Sequence, residues 1–162
     1  MSGKLLRYIT SKKKSSSYTG YGIYGKLPSV GDFIHRNLSY QVISTLDTWL
    51  QSGMHAISAY DNEHAYPYLV APVWKFLLPA GVLDEYPRAG LIMASADSIG
   101  RYFPLVIISH QSMETPATLA QLCSELTCLG PFLPSVLQEK TTPDQLLVQI
   151  NTMKFQPQDY SI

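Results

Sequence analysis

Long apolar runs are missing from this sequence. Residues 69–74 form one of the longer ones and stop at Lys75, far short of the ~18 residues that a membrane-spanning helix requires. No membrane insertion is expected. The N-terminus offers only Leu5 and Leu6 before Arg7, too little for the ~7–15 apolar residues of a signal-peptide core. Secretion is therefore not signalled, and a cytoplasmic protein is expected. Cysteine is scarce too: Cys123 and Cys128 are the only two. Five positions apart on one helical pattern, their side chains diverge, and the spacing matches neither a metal site nor a redox pair. They read as buried thiols in a reducing compartment. Acidic residues are absent from positions 1–31, which hold Lys4, Arg7, Lys12, Lys13, Lys14 and Lys26. The chain has twelve basic and twelve acidic groups in all, so positions 32–162 carry an excess of six acids. Such a body repels phosphate, and nucleic acid is not an expected partner.

What is present describes a packed domain. Apolar residues make up 46% of the 162 positions, charged residues 15%, and eleven residues are tyrosine, which is the composition of a globular chain and not of a disordered one. The length suits one domain that buries roughly 70% of its extended-chain surface. The stretch 11–17 is lysine and serine with nothing to bury. Residues 1–18 are accordingly expected to form a flexible basic tail, and 19–162 a single domain.

Hydrophobic spacing places the elements. Glycine alternates with larger residues over 20–25, as in a strand whose small face lies against another backbone. From Ser39 to Tyr60 the residues Ile43, Leu46, Leu50, Met54 and Ile57 recur at helical spacing, with Val42 and Trp49 widening the stripe. Ser39 is the expected N-cap. Segments 73–78, 89–94 and 103–108 are strand length and bounded by breakers. Their connections are too short for crossover helices, so neighbouring strands should be antiparallel. Thr115-Pro116 opens a helix through Leu119, Leu122, Leu126 and Leu129 that Gly130-Pro131 should stop. Thr142-Pro143 opens another, with Gln145 completing a capping box. The residues beyond Met153 read as a frayed end. The fold class is therefore α/β (α+β): a central, mainly antiparallel sheet flanked by helices in a three-layer sandwich.

Candidate chemistry was weighed motif by motif. Gly25 and Gly31 flank Lys26 in the manner of a phosphate-binding loop, but Asp32-Phe33 stand where such a loop needs lysine and a hydroxyl; a structural turn fits better. Asp97, Gly100 and Arg101 suit a tight loop organised by an ion pair, and no G-x-S-x-G elbow surrounds Ser95 or Ser98. Asp61-Asn62-Glu63-His64 lacks the i, i+4 spacing of a zinc helix and reads as a solvated loop, so no metal is expected. Alternation puts Trp74 and Phe76 on one side of a strand. Core packing is the ordinary role of such a pair, and an exposed Trp74 would instead be an anchor for a partner.

Four strings share a register. Tyr24-Gly25-Lys26-Leu27-Pro28 is followed by Gly31-Asp32-Phe33 and Arg36. Trp49-Leu50 comes next, then Pro72-Val73-Trp74-Lys75-Phe76, then Ser95-x-Asp97-x-x-Gly100-Arg101-x-Phe103-Pro104-Leu105. In this order, over about residues 21–110, the sequence resembles the TagF (ImpM) family of accessory proteins of bacterial type VI secretion. The resemblance implies a compact α/β domain and a post-translational brake that binds a forkhead-associated-domain protein of the same system. It implies no cofactor and no catalytic site; some relatives carry a fused phosphatase domain that 162 residues do not accommodate. Lys26, Asp32, Arg36, Trp74, Asp97 and Arg101 are the candidates for partner binding or loop organisation. The alternative is a small enzyme or ligand-binding domain built on Lys26, Asp32, Asp97 and Arg101.

Overall fold

The computed structural model describes residues 18–60 and 68–155. Five strands form one sheet: β1 (Tyr21–Gly25), β2 (Ile34–Arg36), β3 (Trp74–Leu78), β4 (Arg88–Met93) and β5 (Leu105–Ser109). Their spatial order is β2-β1-β5-β4-β3, and every neighbouring pair is antiparallel, as the short connections demanded. β2 and β3 are consecutive in the chain yet lie on opposite edges. Helix α1 (Tyr40–Tyr60) spans that gap: its 21 residues extend ~31 Å, enough to cross five strands spaced ~4.8 Å apart.

Side chains alternate across the sheet and build two cores. Ile23, Leu91, Met93, Leu105 and Ile107 point one way, into Leu122, Leu126, Leu129, Leu133, Val136, Leu146 and Ile150. Those partners lie on α2 (Pro116–Leu129), α3 (Leu133–Gln138) and α4 (Pro143–Thr152). Tyr24, Val106 and Ile108 point the other way, against Val42, Leu46 and Leu50 of α1. The result is a three-layer helix, sheet, helix sandwich. β5 lies at its centre and is buried at all five positions, which is why its sequence is apolar from Leu105 to Ile108. Each fully buried leucine of this kind contributes ~1.5–3 kcal/mol.

Helix ends follow the predicted chemistry with one exception. Ser39 accepts the Val42 N–H at 3.3 Å. Thr115 and Thr142 cap α2 and α4, each in a reciprocal box with the residue three positions on, Thr118 and Gln145. The exception is Gly130-Pro131, which does not stop the chain from coiling. Gly130 keeps right-handed angles (φ −52°, ψ −51°), and a 3₁₀ turn over Gly130–Phe132 leads into α3. Pro131 sits in a first turn, where a missing N–H costs nothing, and buried Leu129 and Leu133 hold the junction.

Four further expectations need correction. The apolar stripe of α1 is centred on Val42, Leu46 and Leu50, while Ile57 and Trp49 are exposed and border an open cleft against the sheet. β2 was not expected, since one apolar residue in three carries no period. β5 begins at Leu105 and not at residue 103, after Pro104, which has no N–H to give a ladder. Cys123 and Cys128 are half-buried rather than buried. The expected tail lies outside the described residues except for Tyr18, whose ring stacks on His110 at 5.5 Å. Residues 61–64 and the chain beyond Phe155 also lie outside them.

Candidate functional site

Two loops meet where β1 and β4 end. Gly25 turns the chain out of β1 at φ +132° and passes close to the Pro104 carbonyl. Lys26 then points inward, and its Nζ donates to Asp97 Oδ2 at 2.9 Å. Arg101 Nε donates to the same oxygen at 2.7 Å, while the Ile99 and Arg101 N–H groups donate to Oδ1 at 3.1 and 2.9 Å. The Asp97 side chain is wholly buried and Lys26 nearly so. Cross-links complete the join: Ser95 Oγ donates to the Lys26 carbonyl, Ser98 N–H to the Val30 carbonyl, and Arg101 Nη2 to the Gly31 carbonyl.

Burial by itself would push the Asp97 carboxyl up. The Arg101 N–H, Lys26, the Arg101 guanidinium and the Ile99 N–H outweigh it, and the carboxyl is held well below the usual carboxylate range. Lys26 also lies 4.8 Å above the Phe33 ring, which meets Phe103 edge-on at 4.7 Å and stacks on Tyr24 at 6.1 Å. A carboxylate with four donors is a poor base, and a lysine bound to it as ammonium is a poor nucleophile. The arrangement is a clamp between two loops.

The other candidates are not among its bonding groups. Asp32 is exposed and accepts the Phe33 N–H. Arg36 bonds Asp144 of α4 at 2.7 Å on the surface, so it ties β2 to that helix. Trp74 is 61% exposed, which overturns its expected place in the core: Phe76 and Leu78 pack toward α1, but Trp74, at the start of the strand, borders an open cleft. It forms one rim of a cleft of about 260 Å³, with Trp49, Met54 and Ile57 of α1 and with Tyr68 and Pro72. Tyr68 joins cleft to clamp. Its hydroxyl donates to the Ser95 carbonyl and accepts the Ser95 N–H at 3.1 and 3.0 Å; burial pushes its pKa up to about 12, against the lowering effect of the backbone bond to Ser95. Nothing in the sequence around Tyr68 pointed to this role, and Trp49 was placed in the core stripe.

Residues 22–153 match the family described as the TagF N-terminal domain, type VI secretion system-associated. The chain belongs to this family. The clamp and both tryptophans fall inside the matched TagF region. Among solved structures, the crystal structure of PA0076 from Pseudomonas aeruginosa PAO1 is similar, with a TM-score of 0.70 and 29% sequence identity over 85% of this chain. This chain covers 64% of that protein's length. No curated protein matches the sequence.

Away from the clamp, His110 links three segments of the TagF domain. Its Nε2 lies 2.7 Å from the Asn37 carbonyl and its Nδ1 3.2 Å from Arg88 Nη1. A carbonyl only accepts and a guanidinium only donates, so the ring is neutral with its proton on Nε2. Burial, and then the Arg88 charge, hold its pKa below the ordinary 6.5, although the Asn37 bond and Asp84 oppose them. The unfolded chain therefore takes up this proton before the folded one does. Stability from His110 is complete above the ordinary value and declines as pH falls below it. Thermal melting between pH 8 and pH 5.5 is expected to show a falling Tm, and His110→Gln is expected to flatten that slope.

Proposed function

We propose that this chain is a post-translational negative regulator of bacterial type VI secretion, acting in the cytoplasm by binding a forkhead-associated-domain protein of the same system. Membership of a secretion-associated family carries the reading. The chemistry of the site supports it: of the four charges an enzyme would use, Lys26, Asp97 and Arg101 are spent on one another, and Asp32 is exposed and bonded to the Phe33 N–H. Active sites instead converge their charges on an open cavity. Binding, without a cofactor or a nucleic acid, is the activity left to such a surface.

The test is made in secretion-competent cells. Excess of the chain is expected to suppress secretion without lowering the level of the secreted tube protein. Deletion is expected to raise secretion where the system is held off. The reading fails if overexpression leaves secretion unchanged and no forkhead-associated protein is recovered with the tagged chain.

A further inference from the structure

The two edges of the sheet are built differently. β2 is three residues long and is tied down by Arg36, which bonds both Asp144 and the His35 carbonyl. Short strands and charge are the usual means of blunting an edge. β3 has neither. Its five residues pair with β4 in unbroken register from Trp74↔Ile92 to Leu78↔Arg88, so no bulge twists it away, and its sequence WKFLL contains no proline. Among the described residues no strand pairs with its outer side. Its one charge is drawn off: Lys75 Nζ donates to Thr127 Oγ1 at 2.6 Å and to the Cys123 carbonyl at 3.4 Å, on the face of the sheet covered by α2.

Beside this edge lies the cleft between α1 and β3. Its volume of about 260 Å³ falls below the ~300–1,000 Å³ of ordinary small-molecule sites. None of its lining residues is charged, and the Tyr68 hydroxyl is already bonded twice to Ser95. The chemistry suits an apolar side chain and disfavours a phosphate or a carboxylate in the pocket itself. Trp49 and Trp74 stand on its rim, 50% and 61% exposed, and tryptophan is the residue type that most often dominates interface energetics.

We infer that β3 and this cleft form a strand-addition site: an extended segment of the partner protein pairs with β3 and seats an uncharged aromatic or branched side chain beside Trp49 and Trp74. In this mode main-chain hydrogen bonds supply affinity, and every second side chain supplies specificity. A second copy of the chain is a poorer occupant. Antiparallel self-pairing centred on Phe76 sets Leu78 opposite Trp74, and Leu78 is already packed toward α1. Only the identity of the partner, the forkhead-associated protein, rests on the function proposed above.

The experiment has two arms on the full chain. In one, the forkhead-associated protein of the same secretion system is titrated calorimetrically. In the other, random peptides displayed on phage are selected against the chain. Trp49→Ala and Trp74→Ala are each expected to weaken both interactions by ~30-fold or more with an unchanged Tm, while Arg36→Ala at the opposite edge leaves them unaltered. Selected peptides are expected to alternate uncharged apolar residues and to protect the amides of residues 74–78 from hydrogen exchange. If the forkhead-associated protein does not bind but such peptides do, the partner assignment falls and the surface stands. If that protein binds wild type and both tryptophan variants alike, the surface is overturned and the regulatory reading stands. Strand addition is also overturned if no peptide is selected and the protein does not bind, if the selected peptides are charged or helical, or if sedimentation shows a dimer that Trp74→Ala dissolves.

Discussion

Lys26→Met is expected to lower the melting temperature by ~10 °C. Removing one partner of a buried ion pair costs ~3–5 kcal/mol, and a chain of this size loses ~2–4 °C per kcal/mol. The lower end applies here, because Asp97 keeps Arg101 and two backbone N–H groups when Lys26 is gone. Asp97→Ala should be worse, since it strands a lysine that is only 6% exposed. The double variant Lys26→Met/Asp97→Leu is expected to be less destabilised than the two single changes summed, because neither charge is left without its partner. Acid makes an independent check. A carboxyl held below its ordinary 3.8 stabilises fully above that value and loses its contribution as pH falls through it. Asp97→Asn should therefore remove part of the acid limb of the stability profile. A Lys26→Met protein that melted with wild type would show that the clamp contributes nothing to the fold.

Gly25→Ala is the second large effect expected. A Cβ at this position would lie 1.9 Å from the Pro104 carbonyl oxygen, and the backbone φ of +132° suits glycine alone. The obstacle is main chain of the neighbouring strand's lead-in, which cannot swing aside as a side-chain tip can. Backbone strain of ~1–3 kcal/mol adds to the clash, for a total on the order of 3–5 kcal/mol. The contrast is Gly53, on the exposed side of α1 with no atom within 4 Å of an added Cβ. There alanine is expected to stabilise by ~0.5–1 kcal/mol. Chemical denaturation of the two variants tests both signs, and equal effects would remove the close-approach explanation.

The glycine positions were legible because local sequence dictates them. The alternation at 20–25 predicted a strand pressed on another backbone, and Gly22 and Gly25 each meet one, at the Asn37 and Pro104 carbonyls. The caps at Thr115 and Thr142 were legible for the same reason, since donor and acceptor lie three residues apart. The failures share the opposite property. Alternation told which side of β3 Trp74 faces, but not whether a layer of the structure reaches it. Helical spacing identified α1, but which of its apolar residues is covered, Val42 and not Ile57, is set by tertiary packing. Asp97 and Arg101 are legible as a loop pair because they lie with Gly100 in one short connection between two strands, whereas Lys26 is 71 positions from Asp97 and no local signal joins them. Tyr68 was invisible because its role is set by Ser95, on the far side of two strands.

The pairing of β1 with β5 also orders events during synthesis. Gly25 finds its partner Leu105 only after some eighty further residues have been made, which takes ~4–16 s at the usual ~5–20 residues per second. Throughout that interval the β1 edge that β5 will cover is unpaired, and the apolar stripe of α1 lacks its contacts with Val106 and Ile108. The N-terminal third of the protein is thus the part that most needs shelter at the ribosome.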